Sequence, residues 1–197
     1  MKKLLTMMLA LFMVVGMTGC GSTPADQTDN NDQGNENTAD VIIIGAGGAG
    51  LSAAITAAEN GASVIVLEKL GIVGGNTLLS GGEFAAPGNW VQKEQGITDD
   101  VETFYNDIMK GGDNIANPEL VRVLAENALD AAMWWKDECG VVFEDYMLFF
   151  GGHSVERSLV PLNASGAEIV SKLSAKATDM GAQIITNTAA TELVVTD

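Results

Sequence analysis

Asp40-Val-Ile-Ile-Ile-Gly-Ala-Gly-Gly-Ala-Gly50 leaves this chain little choice of fold. Val41 to Ile44 is a run of β-branched residues suited to a buried parallel strand, and it stops at a glycine. Gly45-Ala46-Gly47-Gly48-Ala49-Gly50 then runs straight into an alanine-rich segment with Leu51, Ala54, Ile55 and Ala58 at helical spacing. Each glycine of the Gly45-x-Gly47-x-x-Gly50 spacing has its own task. Gly45 permits the tight turn, Gly47 lets backbone approach a pyrophosphate, and Gly50 lets the helix lie close to the sheet. Phosphates at such a corner meet free N–H groups and the positive end of the helix dipole. Asn60-Gly61 stops the helix, and a second strand, Ser63 to Leu67, ends in Glu68. That acid falls close to the ~20-residue spacing at which a carboxylate accepts hydrogen bonds from ribose and repels a 2′-phosphate. The plainer alternative is a glycine-rich turn followed by a solvated glutamate.

After Glu68-Lys69 comes a second glycine turn, Gly74-Gly75-Asn76-Thr77, and then Ser80-Gly81-Gly82. A simple nicotinamide site has no use for it, whereas a longer nucleotide does. Backbone amides and the Asn76 and Thr77 side chains can reach a far phosphate and a ribityl chain. Ser80-Gly81-Gly82 would bring backbone near a ring system, so the cofactor that fits these parts is flavin adenine dinucleotide, FAD. A mobile loop that uses glycine only for turning stays open as the other reading.

The charge balance, 10 basic against 26 acidic residues and a net charge of −16, argues against nucleic acid and against anionic lipid headgroups as partners. Two cysteines, Cys20 and Cys139, without a CxxC spacing, suggest neither a disulfide framework nor a metal site. Met1-Lys2-Lys3 precedes an apolar stretch, Leu4 to Gly16, shorter than the ~20 residues of a membrane span, and Met17-Thr18-Gly19-Cys20 follows. Residues 1–20 thus resemble a bacterial lipoprotein signal peptide, with Cys20 as the lipidated residue; a plain secretory signal or an N-terminal anchor is the alternative. Residues 21–39 carry no large apolar side chain and are expected to form a flexible acidic linker.

Asp40–Gly50, Glu68-Lys69, Gly74–Thr77 and Ser80–Gly82 together resemble the flavoprotein subunit of the fumarate reductase/succinate dehydrogenase family. The likeness is greatest to its soluble, exported branch of flavocytochrome c fumarate reductases and urocanate reductases. It implies a Rossmann-like α/β FAD-binding domain, a parallel sheet with flanking helices, over residues 40–197. The cofactor-binding residues it implies are Gly45, Ala46, Gly47, Gly48, Ala49, Gly50, Glu68, Lys69, Gly74, Gly75, Asn76, Thr77, Ser80, Gly81 and Gly82. Backbone near Thr188 to Thr191, Ala190 included, would touch the adenine. The resemblance further implies hydride transfer from flavin N5 to fumarate or a similar unsaturated carboxylate, and an electron donor at the cell surface. The membrane would be met only through the lipid anchor.

Such chemistry needs a proton donor and cations for the carboxylate. This chain has two arginines, Arg122 and Arg157, and one histidine, His153. In the family the clamping and proton-donating residues lie in a capping domain and a C-terminal segment that would follow Asp197. No catalytic residue is therefore assigned here, and the chain is expected to be the N-terminal part of a longer protein. Its sheet should keep an unpaired edge, and alone it should be marginally stable and flavin-poor. A non-catalytic exported lipoprotein that binds a dinucleotide or passes electrons, and an FAD-dependent dehydrogenase of ketosteroid type, remain alternatives.

Between the motifs, Thr98-Asp99-Asp100 opens a helix ending near Gly111-Gly112, and Asn117-Pro118 opens another with Leu120, Val121, Leu124, Ala128, Ala131 and Trp135 on one face. Trp134 and Trp135 read as packing residues, and Cys139 as a small buried hydrophobe. Val141 to Phe143 reads as a strand. The Gly151-Gly152-His153-Ser154-Val155-Glu156-Arg157-Ser158 stretch resembles one near the flavin in the family. His153 and Arg157 are read either as contacts for an anionic substrate or flavin, or as polar loop residues satisfied locally. Ser165-x-x-Glu168 reads as a capping box for a helix burying Ile169, Val170, Leu173, Ala177 and Met180. Gln183 to Asn187 reads as a strand, and Thr191 to Val195 as the start of another.

Overall fold

The computed structural model describes residues 38–195. The signal-like segment, Cys20 and nearly all of the acidic linker lie outside them. In chain order the elements are β1 (Val41–Ile44), α1 (Gly48–Glu59), β2 (Val64–Leu67), α2 (Gly75–Leu79), β3 (Phe84–Ala85), α3 (Trp90–Gln95), α4 (Val101–Gly111), α5 (Pro118–Asp137), β4 (Phe143–Leu148), β5 (Ser158–Pro161), α6 (Gly166–Asp179) and β6 (Gln183–Ile185).

The expected β1–α1–β2 unit is present, and it seeds a parallel sheet of order β1-β2-β6, with Val41 opposite Val64, Ile44 opposite Leu67 and Ile65 opposite Gln183. α1 and α6 cover one face. Leu51, Ala54 and Ile55 meet Val64 and Val66 there, with Ile169, Val170, Leu173 and Ala177 from α6. Each fully enclosed Leu or Ile contributes about 1.5–3 kcal/mol. The buried reading of β1 needs correction: Ile42 and Ile44 are 57% and 60% exposed. Strand residues alternate between faces, and α1 and α6 pack only on the Val41/Ile43 side. Among the described residues β1 pairs only with β2, so its other edge is open.

A second, antiparallel sheet has the order β3-β5-β4, with β5 buried along its whole length. Around it gather Ala86, Val91, Phe104, Ala125, Ala128, Ala132, Met147 and Leu159. Phe143 packs against both apolar clusters. Trp135 joins them as well: its ring centroid lies 4.8 Å from that of Phe84, and its indole N–H donates to Ser52 Oγ of α1 at 3.4 Å.

α4 and α5 start where expected. Asp100 Oδ1 accepts from Thr103 N at 2.7 Å, and Asn117 Oδ1 accepts from Glu119 N at 2.9 Å ahead of Pro118. The buried stripe of α5 matches the expected one only at Val121 and Ala128. It consists of Val121, Ala125, Ala128 and Ala132, while Leu120 and Leu124 face outward. These alanines pack in the cluster that holds Phe104 of α4.

Three other expectations change. The expected strand at 141–143 begins instead at Phe143 and runs to Leu148. Thr191–Val195 forms no strand and is exposed. Ser165 caps α6 through Ala167 N at 3.2 Å, but Glu168 Oε1 accepts from Val142 N at 3.1 Å instead of reaching back to the cap. The complete capping box sits at Asn89 and Gln92, opening α3.

Candidate nucleotide site

The strand-to-helix corner is built so tightly that glycine is obligatory at its last position. A Cβ on Gly50 would lie 1.9 Å from the carbonyl oxygen of Gly45. Gly45 itself turns with φ +98°, and its N–H donates to Leu67 O at 2.8 Å. Gly47 differs from both. A Cβ there would meet only Gly74 O, at an ordinary 3.7 Å, so the protein's own packing does not demand glycine at that point. The helix behind it carries no acidic residue in its first turn and no side-chain cap from Gly47. The positive end of α1 is therefore not neutralised by its own helix.

Glu68 closes β2 and turns inward to this corner. Its Oε2 accepts from Ala46 N at 2.9 Å and its Oε1 from Leu70 N at 2.8 Å, in a nearly enclosed position. The Leu70 and Ala46 amides hold the carboxyl below the usual range, overcoming the opposing effect of burial. Each oxygen keeps one further lone-pair direction for a hydroxyl donor. The carboxylate borders a pocket of about 240 Å³ that also draws on Ile44, Gly45, Lys69, Thr188 and Ala190. The expected adenine-side segment thus shares one cavity with the fingerprint and the acid.

The second glycine turn docks on the first. Gly74 N donates to Ala46 O at 2.7 Å, and Gly48 N donates to Thr77 Oγ1 at 3.2 Å. Gly74, at φ +117°, has room for no side chain, since a Cβ would lie 2.7 Å from Leu78 Cβ. Gly75, Asn76 and Thr77 open α2 beside the corner, with Asn76 exposed. Ser80 is used locally: its Oγ donates to Thr77 O at 2.8 Å and accepts from Gly82 N at 3.1 Å. Gly81 follows it at the start of this turn.

Sequence reasoning missed Gly166. At the start of α6 its N–H donates to Ser80 O at 2.9 Å, and a Cβ would lie 1.8 Å from Thr77 O. The glycine right after a capping serine was the available signal. It seats α6 against the turn that carries Thr77.

His153 and Arg157 do not border the Glu68 pocket. Arg157 is fully buried. Its Nε and Nη2 donate to Asp99 Oδ2 and Oδ1 at 2.8 and 2.9 Å, and its Nη1 to Asp107 Oδ2 at 2.6 Å. Burial opposes the charge, but the two carboxylates outweigh it and raise the guanidinium's pKa. It is neither a free cation nor a locally satisfied loop residue, because its partners lie on a different part of the chain. His153 stands edge-on to Phe104 and Phe150, and burial followed by the nearby Arg157 charge lowers its pKa.

Residues 40–197 match the family described as FAD binding domain. The chain is 50% identical over 156 residues to a urocanate reductase of Eggerthella lenta, covering 79% of this chain and 26% of that protein. It is 38% identical over 162 residues to a fumarate reductase (cytochrome) of Shewanella frigidimarina, covering 81% and 28%. The structure of the open conformation of a flavocytochrome c3 fumarate reductase superposes with a TM-score of 0.73 at 35% identity, over 78% of this chain and 27% of that one. The chain thus spans about a quarter of the length of these relatives. It belongs to the FAD binding domain family.

Proposed function

We propose that this chain forms the FAD-holding part of an exported flavin-dependent reductase acting on an unsaturated carboxylate, tethered by a lipid on Cys20. The observation that carries the reading is the bracing of two glycine turns around the start of a helix with no side-chain cap of its own, with an ionised, amide-held Glu68 in the adjoining cavity. The parts suit the group in turn. The first-turn amides of α1 and the open space before Gly47 suit a diphosphate. Glu68 suits ribose hydroxyls, and Thr188–Ala190 suits the adenine. Lys69, Gly74–Thr77 and Ser80–Gly82 line the way toward the flavin end. When bound, the flavin ring supplies the hydride chemistry. The residues present here bind and orient; the proton donor and the carboxylate-holding cations are assigned to no residue of this chain.

The likeness to reductases named for urocanate and fumarate supports a small carboxylate as substrate and an electron-donating partner. The apolar stretch before Cys20 supports export and anchoring. Among the described residues no helix is long and apolar enough to cross a membrane.

Titration of the chain with FAD, followed by flavin fluorescence, tests the reading. Weak but saturable binding of FAD is expected, with FMN and NADP both weaker still, since FMN lacks the adenylate half and a 2′-phosphate is repelled by Glu68. Glu68→Gln should weaken FAD without improving FMN. FMN binding as well as FAD, or NAD displacing FAD at equal concentration, would refute it.

A further inference from the structure

α1 has no cap of its own. Gly47 stands in the N-cap position with extended backbone, φ −79° and ψ −178°, and brings no side chain. A helix start without a cap leaves its first amides unsatisfied, yet here one is met from a distance. Gly48 N donates to Thr77 Oγ1 at 3.2 Å, across 29 residues of sequence. A second bond, Gly74 N to Ala46 O at 2.7 Å, and the backbone bridge between Gly47 and Gly74 fix the same two turns to each other. The fit is close, since a Cβ on Gly48 would lie 2.9 Å from Thr77 Oγ1.

We infer that Thr77 is a positioning residue: its hydroxyl caps α1 from the second glycine turn and holds the helix's first amides and that turn in one mutual geometry before any nucleotide arrives. This rests on the FAD reading above for its purpose, though not for its existence. The hydroxyl oxygen accepts from the helix amide and keeps its own proton to donate. Such a chain of hydrogen bonds polarises along its length, which makes the outer O–H a better donor to an anion than an isolated threonine would be. The two turns are thereby coupled, so displacing either one removes a donor from the other.

Three variants separate the hydroxyl from the space it fills. Thr77→Val keeps the shape and removes the oxygen, Thr77→Ser keeps the oxygen, and Thr77→Ala removes it without adding a methyl in its place. The first measurement needs no nucleotide. Amide exchange at Gly48 in the full chain, read by NMR, should speed up about tenfold in Thr77→Val and Thr77→Ala and stay unchanged in Thr77→Ser, as for the loss of one hydrogen bond. Exchange at Ile55, further along α1, should stay unchanged in all of them and shows that the fold is kept. The second measurement is FAD affinity, expected about tenfold weaker in Thr77→Val and Thr77→Ala and retained in Thr77→Ser. Unchanged Gly48 exchange in Thr77→Val and Thr77→Ala, or equal acceleration in Thr77→Ser, overturns the cap. Full FAD affinity in Thr77→Val overturns its positioning role. Absence of FAD binding in the unsubstituted chain refutes the flavin reading alone, and the exchange measurement still decides on Thr77.

Discussion

Arg157 offers the sharpest test of how this fold holds charge. One guanidinium, wholly enclosed, pairs with two carboxylates, and the Asp99 side chain is as fully enclosed as its own while that of Asp107 is 11% exposed. Asp99 also accepts from Gln92 Nε2 at 2.9 Å, and Asp107 from the amide and hydroxyl of Ser154, both at 2.8 Å. Replacing Arg157 by Met keeps much of the volume and withdraws the guanidinium that pairs with both carboxylates. Two buried carboxylates then face each other unpaired, a change worth about 3–5 kcal/mol against a total stability of about 5–15 kcal/mol. The pH dependence follows from the same geometry. In the native chain the Asp107 carboxyl lies below its ordinary value: burial pushes it up, but the Ser154 amide and Arg157 outweigh burial. That stability is complete above the unfolded pKa and is lost as pH falls through the depressed folded one. Without Arg157 only the Ser154 amide and hydroxyl oppose burial, and the folded carboxyl moves up toward its unfolded value. The variant's deficit should therefore be largest near pH 7 and shrink toward about pH 3, as pH falls below the unfolded carboxyl's value and a proton replaces the missing cation. Urea denaturation followed by tryptophan fluorescence at both pH values measures this. A deficit under about 1 kcal/mol at neutral pH, or one that does not change with pH, would refute the reasoning. Replacing Arg157, Asp99 and Asp107 together by apolar residues should recover most of the loss.

Two further outcomes follow from the packing. Gly50→Ala, which in an open helix would gain about 1 kcal/mol, should here lose stability steeply, because the new methyl falls on the Gly45 carbonyl. Urea midpoints of this variant and of Ser52→Ala, on the same helix, make the comparison; a gain for Gly50→Ala sinks the argument. The Cys139 thiol, pushed up to about 11 by burial, should resist alkylation at about pH 8 until the chain unfolds. Rapid labelling of the native chain would contradict that assignment.

The βαβ corner was legible in the sequence because everything that forms it is local. The β-branched run, the glycine spacing and the acid closing β2 lie within about thirty residues of one another, and each has a single backbone use. The caps at Asp100 and Asn117 were legible for the same reason. The rotated face of α5 was not, since periodicity marks a helix but does not say whether leucine or alanine meets the neighbour. β5 was missed because the stretch around Arg157 reads as a polar loop. Its burial depends on Asp99 and Asp107, more than forty residues upstream, and no local pattern announces such a pairing. Gly166 escaped for a related reason, since its hydrogen-bond partner Ser80 O and the crowding Thr77 O both come from the other glycine-rich region.

Phe143 and Trp135 have one more effect. Each serves as a wall for both sheets, so neither sheet can come apart and leave the other dry. Heating should therefore give a single calorimetric peak, in which the nucleotide corner and the antiparallel ribbon are lost together. A ligand gripped at that corner would then raise the melting temperature of the whole of residues 38–195, distant helices included.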